Sequence, residues 1–100
     1  MRKYVVLIHG VNFVMRDDDG EPKLMGFYVN VYVETETPQR AEDDAVQWVR
    51  ASSKLRSAVV NTADDPPRLL VDEIAELSDW PNDCIRPLSG FIFYDEGNVA

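Results

Sequence analysis

Two long strand-like segments, separated by a short acidic stretch, constrain the fold of this chain more than any other feature. Residues 25–35 alternate strictly between side chains expected to point inward and side chains expected to point outward. The inward set is Met25, Phe27, Val29, Val31 and Val33, and the outward set is Tyr28, Asn30, Tyr32 and Glu34. Residues 4–15 form the other segment, and Asp19-Gly20 between them favours a tight turn. The sequence therefore predicts a long β-hairpin.

The first strand is apolar on both sides over its first half, which is typical of a central strand covered on two faces. A period of two predicts that its odd-numbered positions share one face: Val5, Leu7, His9, Val11, Phe13 and Met15. The opposite face would then carry Tyr4, Val6, Ile8, Gly10, Asn12 and Val14. Glycine inside a strand indicates a bulge or a close approach of another group to the backbone, and Gly10 predicts one of these here.

A helix is predicted directly after the hairpin. Thr37 is a suitable N-cap, and Pro38 would occupy the first helical position, where no backbone N–H is needed. The spacing i, i+4, i+7 and i+8 predicts one buried stripe, made of Ala41, Ala45, Trp48, Val49 and Ser52. A short second helical piece over residues 54–60 is expected to follow.

Residues 68–77 are ambiguous between a strand and a helix. As a helix, Asp65 would cap the segment, Pro66 would begin it, and the buried stripe would be Leu70, Ile74 and Leu77. As a strand, the segment would turn Leu69, Val71, Ala75 and Leu77 to one side. The strand is favoured, because the closing segment Gly90–Tyr94 has the composition of a central strand and needs a neighbour. A second hairpin through the intervening loop would provide that neighbour.

These elements follow the order β-β-α-β-β. We expect a single α+β domain over residues 1–100, with an antiparallel four-stranded sheet and one main helix packed on one face. The GFY at 26–28, the Thr37-Pro38 helix start followed by Ala41-Glu42, the proline-rich turn and the terminal GFIFY resemble small uncharacterised bacterial α+β domains. The resemblance spans most of the chain and implies this fold. It implies no particular activity.

Eighteen acidic residues against ten basic ones give the chain a net charge of −8. Affinity for nucleic acids depends largely on Lys and Arg contacts with phosphates, so this charge argues against DNA, RNA or an anionic membrane as a partner. A metal cation or a basic protein is compatible with it. The single cysteine, Cys84, excludes an internal disulfide, and the sequence has no signal-like segment and no apolar run of ~20 residues. We therefore expect a cytoplasmic protein.

The motifs that would indicate an enzyme or a metal site are incomplete. Residues 5–10 resemble the entry to the oxyanion-hole loop of α/β-hydrolases, but no serine lies in a G-x-S-x-G context and His9 is the only histidine. Residues 25–33 fit the RNA-recognition pattern at Gly26-Phe27 but have Met25 in place of its basic residue, Tyr28 in place of its small residue and Val29 in place of its stacking aromatic residue. The acidic stretch at 17–21 lacks EF-hand spacing, and one histidine with one cysteine is too few for structural zinc. The sequence therefore predicts no catalytic residue, no metal site and no cofactor.

The outward-facing residues of the sheet are the main functional candidates. One helix hides one face of a four-stranded sheet, so Tyr28, Asn30 and Tyr32 would join Tyr94 and Ile92 on an exposed aromatic surface. We therefore expect a non-enzymatic protein-interaction module that forms a homodimer, through this sheet face or a strand edge, or that binds a basic protein.

The alternative is a small-molecule-binding or catalytic subunit with a pocket near His9 and Asn12. Both residues are polar members of a strand that is otherwise suited to burial. Polar groups among apolar residues are unfavourable unless they have hydrogen-bond partners, so the surroundings of these two side chains are of functional interest.

Overall fold

The predicted hairpin forms the centre of the sheet. A computed structural model of the chain describes residues 1–16, 20–61, 63–84 and 86–96. Strands β1 (Arg2–Arg16) and β2 (Pro22–Thr35) pair antiparallel over their whole length. Part of the predicted Asp19-Gly20 turn, including Asp19, lies outside the described residues. Gly20 has a φ of 80°, a backbone conformation that glycine adopts without steric cost.

The remaining elements complete an α+β fold. They are α1 (Pro38–Arg50), α2 (Ser53–Ala58), β3 (Arg68–Leu77) and β4 (Ile92–Asp95). The four strands form one antiparallel sheet in the order β3-β1-β2-β4, and α1 packs on one face of it. The predicted fold class is therefore confirmed. We call the face under α1 the core face and the opposite one the open face.

The core lies between α1 and the core face of the sheet. The two central strands contribute side chains that are two residues apart, namely Tyr4, Val6 and Ile8 from β1 and Phe27, Val29, Val31 and Val33 from β2. Helix α1 contributes Ala41, Ala45 and Val49, each with 0% exposure. Because the two alanines end at Cβ, the helix lies close to the strands. The removal of these apolar side chains from water supplies the main stabilisation, about 25 cal/mol per Å².

Because of a bulge in β1, Phe13 and Met15 lie on the face opposite to the predicted one. Two residues of β1, 11 and 12, oppose the single residue 26 of β2, and Asn12 adopts a φ of 61°. The extra residue shifts the alternation, so Phe13 pairs with Met25 on the core face and is 5% exposed. Met15 also packs against the core. The prediction that these two share a face with His9 is wrong, because a period of two assumes an unbroken strand.

Helix α1 begins as predicted. The Thr37 hydroxyl accepts a hydrogen bond from the backbone N–H of Arg40 at 3.2 Å, and Pro38 lies in the first turn. Trp48 departs from the predicted stripe, since its side chain is 49% exposed while Val49 is buried. The stripe that meets the sheet is narrower than predicted and runs along positions 41, 45 and 49. No helix among the described residues combines the length and the apolar character needed to cross a membrane.

Residues 68–77 form strand β3, so the prediction of a strand is confirmed and the helical alternative is wrong. The predicted common face of Leu69, Val71, Ala75 and Leu77 is wrong, because the register with β1 shifts between Leu7 and Ile8 and turns Leu69 and Val71 to the core face. The predicted second hairpin is also wrong, because β3 pairs with β1 whereas β4 pairs with β2 at the opposite edge of the sheet. The closing segment Gly90–Tyr94 therefore contributes an edge strand and not a central one. The connection over residues 78–91 is too long for a tight hairpin turn. It allows β4 to reach the outer edge of β2, where the Phe93 and Phe27 rings lie 5.7 Å apart.

Candidate functional site

The open face of the sheet carries large apolar side chains in contact with solvent. Helix α1 covers the other face and reaches this one only at its Tyr32 end, where Trp48 borders a depression with Tyr32 and Trp80. Over positions 3–11 of β1, the pairing register places four β1 side chains on the open face: Val5, Leu7, His9 and Val11. The neighbouring strands add Tyr28, Asn30, Tyr32, Leu70, Ile92 and Tyr94 to this face. Ile92 is 70% exposed, Leu70 45% and Tyr28 36%. Exposed apolar groups that share one surface are typical of a binding surface.

Three rings form a cluster at the centre of this face. His9 and Tyr28 are direct partners across the β1–β2 ladder, and their rings stack at 4.3 Å with an angle of 11° between the planes. Tyr94 approaches from β4, with its ring centroid 5.8 Å from His9 and 5.9 Å from Tyr28. His9 is half-buried as a result. The structure thus brings three of the predicted site residues together, and Ile92 lies beside them as the partner of Tyr28.

Gly26 makes this cluster possible. It is the β2 partner of Tyr94, and a Cβ atom at position 26 would lie 2.2 Å from the Tyr94 Cζ. Such a contact is far inside van der Waals range, so only glycine lets the Tyr94 ring lie flat across β2 towards His9. The alternation of the sequence identified the two tyrosines but not this requirement.

A chain of hydrogen bonds starts at His9. Its Nε2 is hydrogen-bonded to the Tyr94 hydroxyl, which also approaches Glu96 Oε2 at 3.3 Å. The other carboxylate oxygen, Glu96 Oε1, accepts a hydrogen bond from the backbone N–H of Asn12 at 3.1 Å. Glu96 therefore connects the ring cluster to the β1 bulge. It was not among the predicted site residues, although its position two residues after Tyr94 would place it on the same face of an extended strand.

The Tyr94 phenol is held in its protonated form. Burial raises the pKa of Tyr94, and the negative charge of Glu96, which accepts a hydrogen bond from the phenol, raises it further. Tyr28 contributes in the same direction. Tyr94 therefore acts as a hydrogen-bond donor at neutral pH. With a histidine on one side and a carboxylate on the other, it occupies the middle of a potential proton-transfer chain.

Asn12 lies beside the ring cluster, in the bulge of β1. Its side-chain Nδ2 donates to Asp65 Oδ1 at 2.8 Å and to the backbone carbonyl of Pro66 at 3.2 Å. The Asn61 side chain completes this polar cluster by donating to the Asn12 carbonyl at 2.8 Å. The predicted pair of His9 and Asn12 is therefore linked through Tyr94 and Glu96, and the Asn12 amide already has partners.

The other end of the open face is partly covered by the loop that follows β3. The Trp80 ring packs edge-on against Tyr32 at 6.0 Å and lies under the cations of Lys3 and Arg86, at 5.8 and 4.7 Å. Trp80 was not predicted to belong to this surface, because nothing in its local sequence pattern fixes where a long loop lies.

Asn30 also lies in this region, and its backbone holds the segment before β4 against β2. Its backbone N–H donates to Ser89 Oγ at 3.0 Å, and its carbonyl accepts from the Ser89 N–H at 2.9 Å. The segment before β4 thus extends the edge of β2. The surface that is left open to a partner runs from Leu70 through the ring cluster to Ile92.

This arrangement provides shape, apolar area and one histidine, which suits the recognition of another molecule. Comparison of the chain with protein-family models, with curated proteins and with solved structures gives no match.

Proposed function

We propose that the protein is a non-enzymatic interaction module that forms a homodimer through the open face of its sheet. The observation that carries this proposal is the 70% exposure of Ile92 beside Tyr28, its partner across the ladder. Burial of a side chain of this size is worth about 1.5–3 kcal/mol. If a second copy packed its open face against that of the first, the Ile92 and Tyr28 side chains of both copies would be buried, as in a twofold-symmetric interface.

The charge of this face supports a second copy as the partner. We consider positions 3–11 of β1 and the residues of β2 and β3 that pair with them. The charged side chains that this register places on the open face are Lys3, Glu34, Arg68 and Glu73. They are two of each sign, and Glu96, which bonds to Tyr94 on this face, adds one negative charge, whereas the whole chain carries −8. Most of the excess negative charge therefore lies elsewhere. Two copies would meet on a surface where they repel each other little.

A strand edge is a less favourable route to the same dimer. The β3 edge carries Asp72, Glu73 and Glu76, and like charges oppose the pairing of two identical strands. The opposite edge, β4, has four residues. The proposal therefore places the interface on the open face.

A basic protein is the second class of partner that we propose. It is supported by the net charge and by Asp43 and Asp44, which are exposed on α1. Polylysine is a suitable probe. We expect it to bind in a salt-sensitive way, and the double variant Asp43→Asn with Asp44→Asn to bind it more weakly. Binding that does not depend on salt would contradict this assignment.

A cytoplasmic location is part of the same proposal, supported by the single cysteine.

Sedimentation velocity over a concentration series tests the homodimer. We expect the parent protein to dimerise as its concentration rises, and Ile92→Glu and Tyr28→Glu to remain monomeric because each places a charge in the buried interface. Val71→Glu is the matched control, since Val71 is 37% exposed and its register with Ile8 assigns it to the core face. A parent protein that is monomeric at every concentration contradicts the proposal. So does a control that weakens the dimer as much as Ile92→Glu, with circular dichroism showing that all variants are folded.

A small-molecule or catalytic site at His9 is a second proposal. The observation that favours it is the chain from His9 through Tyr94 to Glu96. It ranks below the homodimer because Asn12, the other polar residue, has its amide bonded to Asp65. NMR spectra of the His9 ring recorded with phenol and with acetate test it. Signals that do not move with either probe contradict a binding role for these groups.

A further inference from the structure

A cavity of about 540 Å³ lies where the end of α1, helix α2 and the first residues of β3 meet. Its floor includes Phe13, Val49 and Leu55, which belong to the apolar core. A volume between ~300 and 1,000 Å³ with an apolar lining is typical of sites for small organic molecules. The cavity touches the open face at its edge, through Arg68 and Leu70, and does not include the ring cluster.

Three arginines border this cavity: Arg50, Arg56 and Arg68. All three are exposed, and none of them has an ion-pair partner among the described residues. The lining contains no aspartate or glutamate, although the chain has eighteen acidic and ten basic residues. The cavity is therefore a positively charged site in a protein with a net charge of −8.

The three guanidinium groups come from three different elements. Arg50 is in the last turn of α1, where a cation also interacts favourably with the helix dipole. That interaction does not account for Arg68, which begins a strand. The fold thus brings three planar five-donor groups to one opening, and such groups bind carboxylates through paired hydrogen bonds.

We propose that this cavity binds an apolar organic acid, with the tail against Phe13, Val49 and Leu55 and the carboxylate held by the arginines. The floor disfavours an anion that is polar throughout, because its buried polar groups would lack hydrogen-bond partners. The rim disfavours an apolar cation by charge repulsion. An amphipathic carboxylate satisfies both parts of the site.

Decanoate below its micelle-forming concentration is the probe, and isothermal titration calorimetry is the measurement. We expect one decanoate to bind per chain. Decanol has the same tail without the charge, and acetate has the charge without the tail, so both should bind at least about tenfold more weakly. Decanol that binds as tightly as decanoate would overturn the role of the arginines. Acetate that binds as tightly would overturn the role of the apolar floor.

Arginine variants locate the site. Arg50→Gln and Arg56→Gln should each weaken decanoate about tenfold, because each removes a charge-assisted hydrogen bond. Arg40→Gln is the matched control, since Arg40 is exposed in the first turns of α1 and is not part of the lining. A loss of affinity in the control equal to that in the other variants would overturn the site, because it would show a general effect of net charge.

Decanoate binding can be tested independently of the homodimer. Ile92 does not line the cavity, so monomeric Ile92→Glu should bind decanoate as tightly as the parent protein. Chemical shift changes in the spectra of this variant should concentrate at Leu55 and Leu69, two lining residues. Changes concentrated instead at Tyr28 and Tyr94 would place decanoate on the open face and overturn the proposal, as would the absence of any binding.

Discussion

The Phe27 ring lies directly over the backbone of Gly10 on the neighbouring strand. The two are partners in the β1–β2 ladder, and a Cβ atom at position 10 would lie 2.2 Å from Phe27 Cε2. Gly26 and Tyr94 repeat this relationship on the open face, one strand further along the sheet. In each pair a glycine leaves room for an aromatic ring from the adjacent strand, a known device for fixing the register of a sheet.

Gly10→Ala should destabilise the fold. The Phe27 ring cannot move aside easily, because Phe13, Phe91 and Phe93 pack around it at 4.9 to 5.7 Å. Overpacking of this kind lowers the free energy of unfolding by about 1–3 kcal/mol, measured by urea denaturation. Gly90→Ala is the control, since nothing lies within 4 Å of a Cβ at that position, and it should change stability by less than about 0.5 kcal/mol. Equal effects of the two substitutions would contradict the packing argument.

Glu96→Gln should lower the pKa of Tyr94 towards its usual value. The Glu96 carboxylate disfavours ionisation of the phenol both through its charge and by accepting its hydrogen bond. The ¹³Cζ resonance of Tyr94 in tyrosine-labelled protein reports its ionisation directly. Glu34→Gln removes another exposed carboxylate of the open face and should leave the pKa of Tyr94 unchanged. An unchanged Tyr94 pKa in Glu96→Gln would contradict the contact.

The raised pKa of Tyr94 also predicts how stability depends on pH. A tyrosine in the unfolded chain ionises near pH 10, whereas folded Tyr94 keeps its proton to higher pH. Above about pH 10 the folded state therefore binds more protons at this site than the unfolded state, and the free energy of unfolding falls as pH rises. Tyr94→Phe should reduce this fall, as measured by denaturation between pH 8 and 11. A slope identical to that of the parent would show that Tyr94 does not contribute.

Asn61→Ala should destabilise the fold through the β1 bulge. The Asn61 side chain accepts from the Val14 N–H at 2.8 Å and donates to the carbonyls of Asn12 and Asp65 at 2.8 and 2.9 Å. Loss of these bonds leaves half-buried backbone groups without partners and should lower the free energy of unfolding by about 1–3 kcal/mol. Asn82→Ala, at an exposed loop position, is the control and should have little effect. Hydrogen exchange of the Val14 amide should accelerate in Asn61→Ala alone.

Tyr4→Phe should leave stability unchanged or increase it. The Tyr4 side chain is 1% exposed, and its hydroxyl makes no hydrogen bond of standard geometry among the described residues, although it lies close enough to the Arg2 guanidinium to raise the pKa of Arg2. A buried hydroxyl without a partner carries an uncompensated desolvation penalty, which phenylalanine lacks. Thermal unfolding followed by circular dichroism measures the effect. A clear loss of stability would mean that the hydroxyl makes a favourable contact in solution.

Patterns local to one segment predicted most of the fold. The alternation over Met25–Thr35 gave the orientation of β2 correctly, and Thr37-Pro38 gave the start of α1. The pairing of β4 with β2 was not accessible in this way, because it depends on how Phe93 and Tyr94 fit against residues far away in the chain. The same is true of Trp48, whose exposure is set by how α1 is rotated against the sheet.

The candidate site was predictable in part for the same reason. Alternation places Tyr28 and Tyr32 on one face, but it does not indicate that Tyr94 crosses β2 above Gly26 to reach His9. The three arginines of the cavity are dispersed over positions 50, 56 and 68, and only the packing of α1, α2 and β3 brings them to one opening. No short sequence motif indicates that these three arginines lie together.

Asn12 is the one residue of β1 that the alternation of the sheet does not require. Without it, positions 10, 13 and 15 would follow one another on the core side of an unbroken strand, with Val11 and Val14 on the other side. The chain is therefore one residue longer here than its core demands. That residue joins β1 to two other parts of the molecule, the loop that contains Asn61 and Asp65 and the end of β4 at Glu96. A related chain that lacked Asn12 could keep the same core, while the loop beside the arginine cavity and the end of β4 would lose their common attachment point.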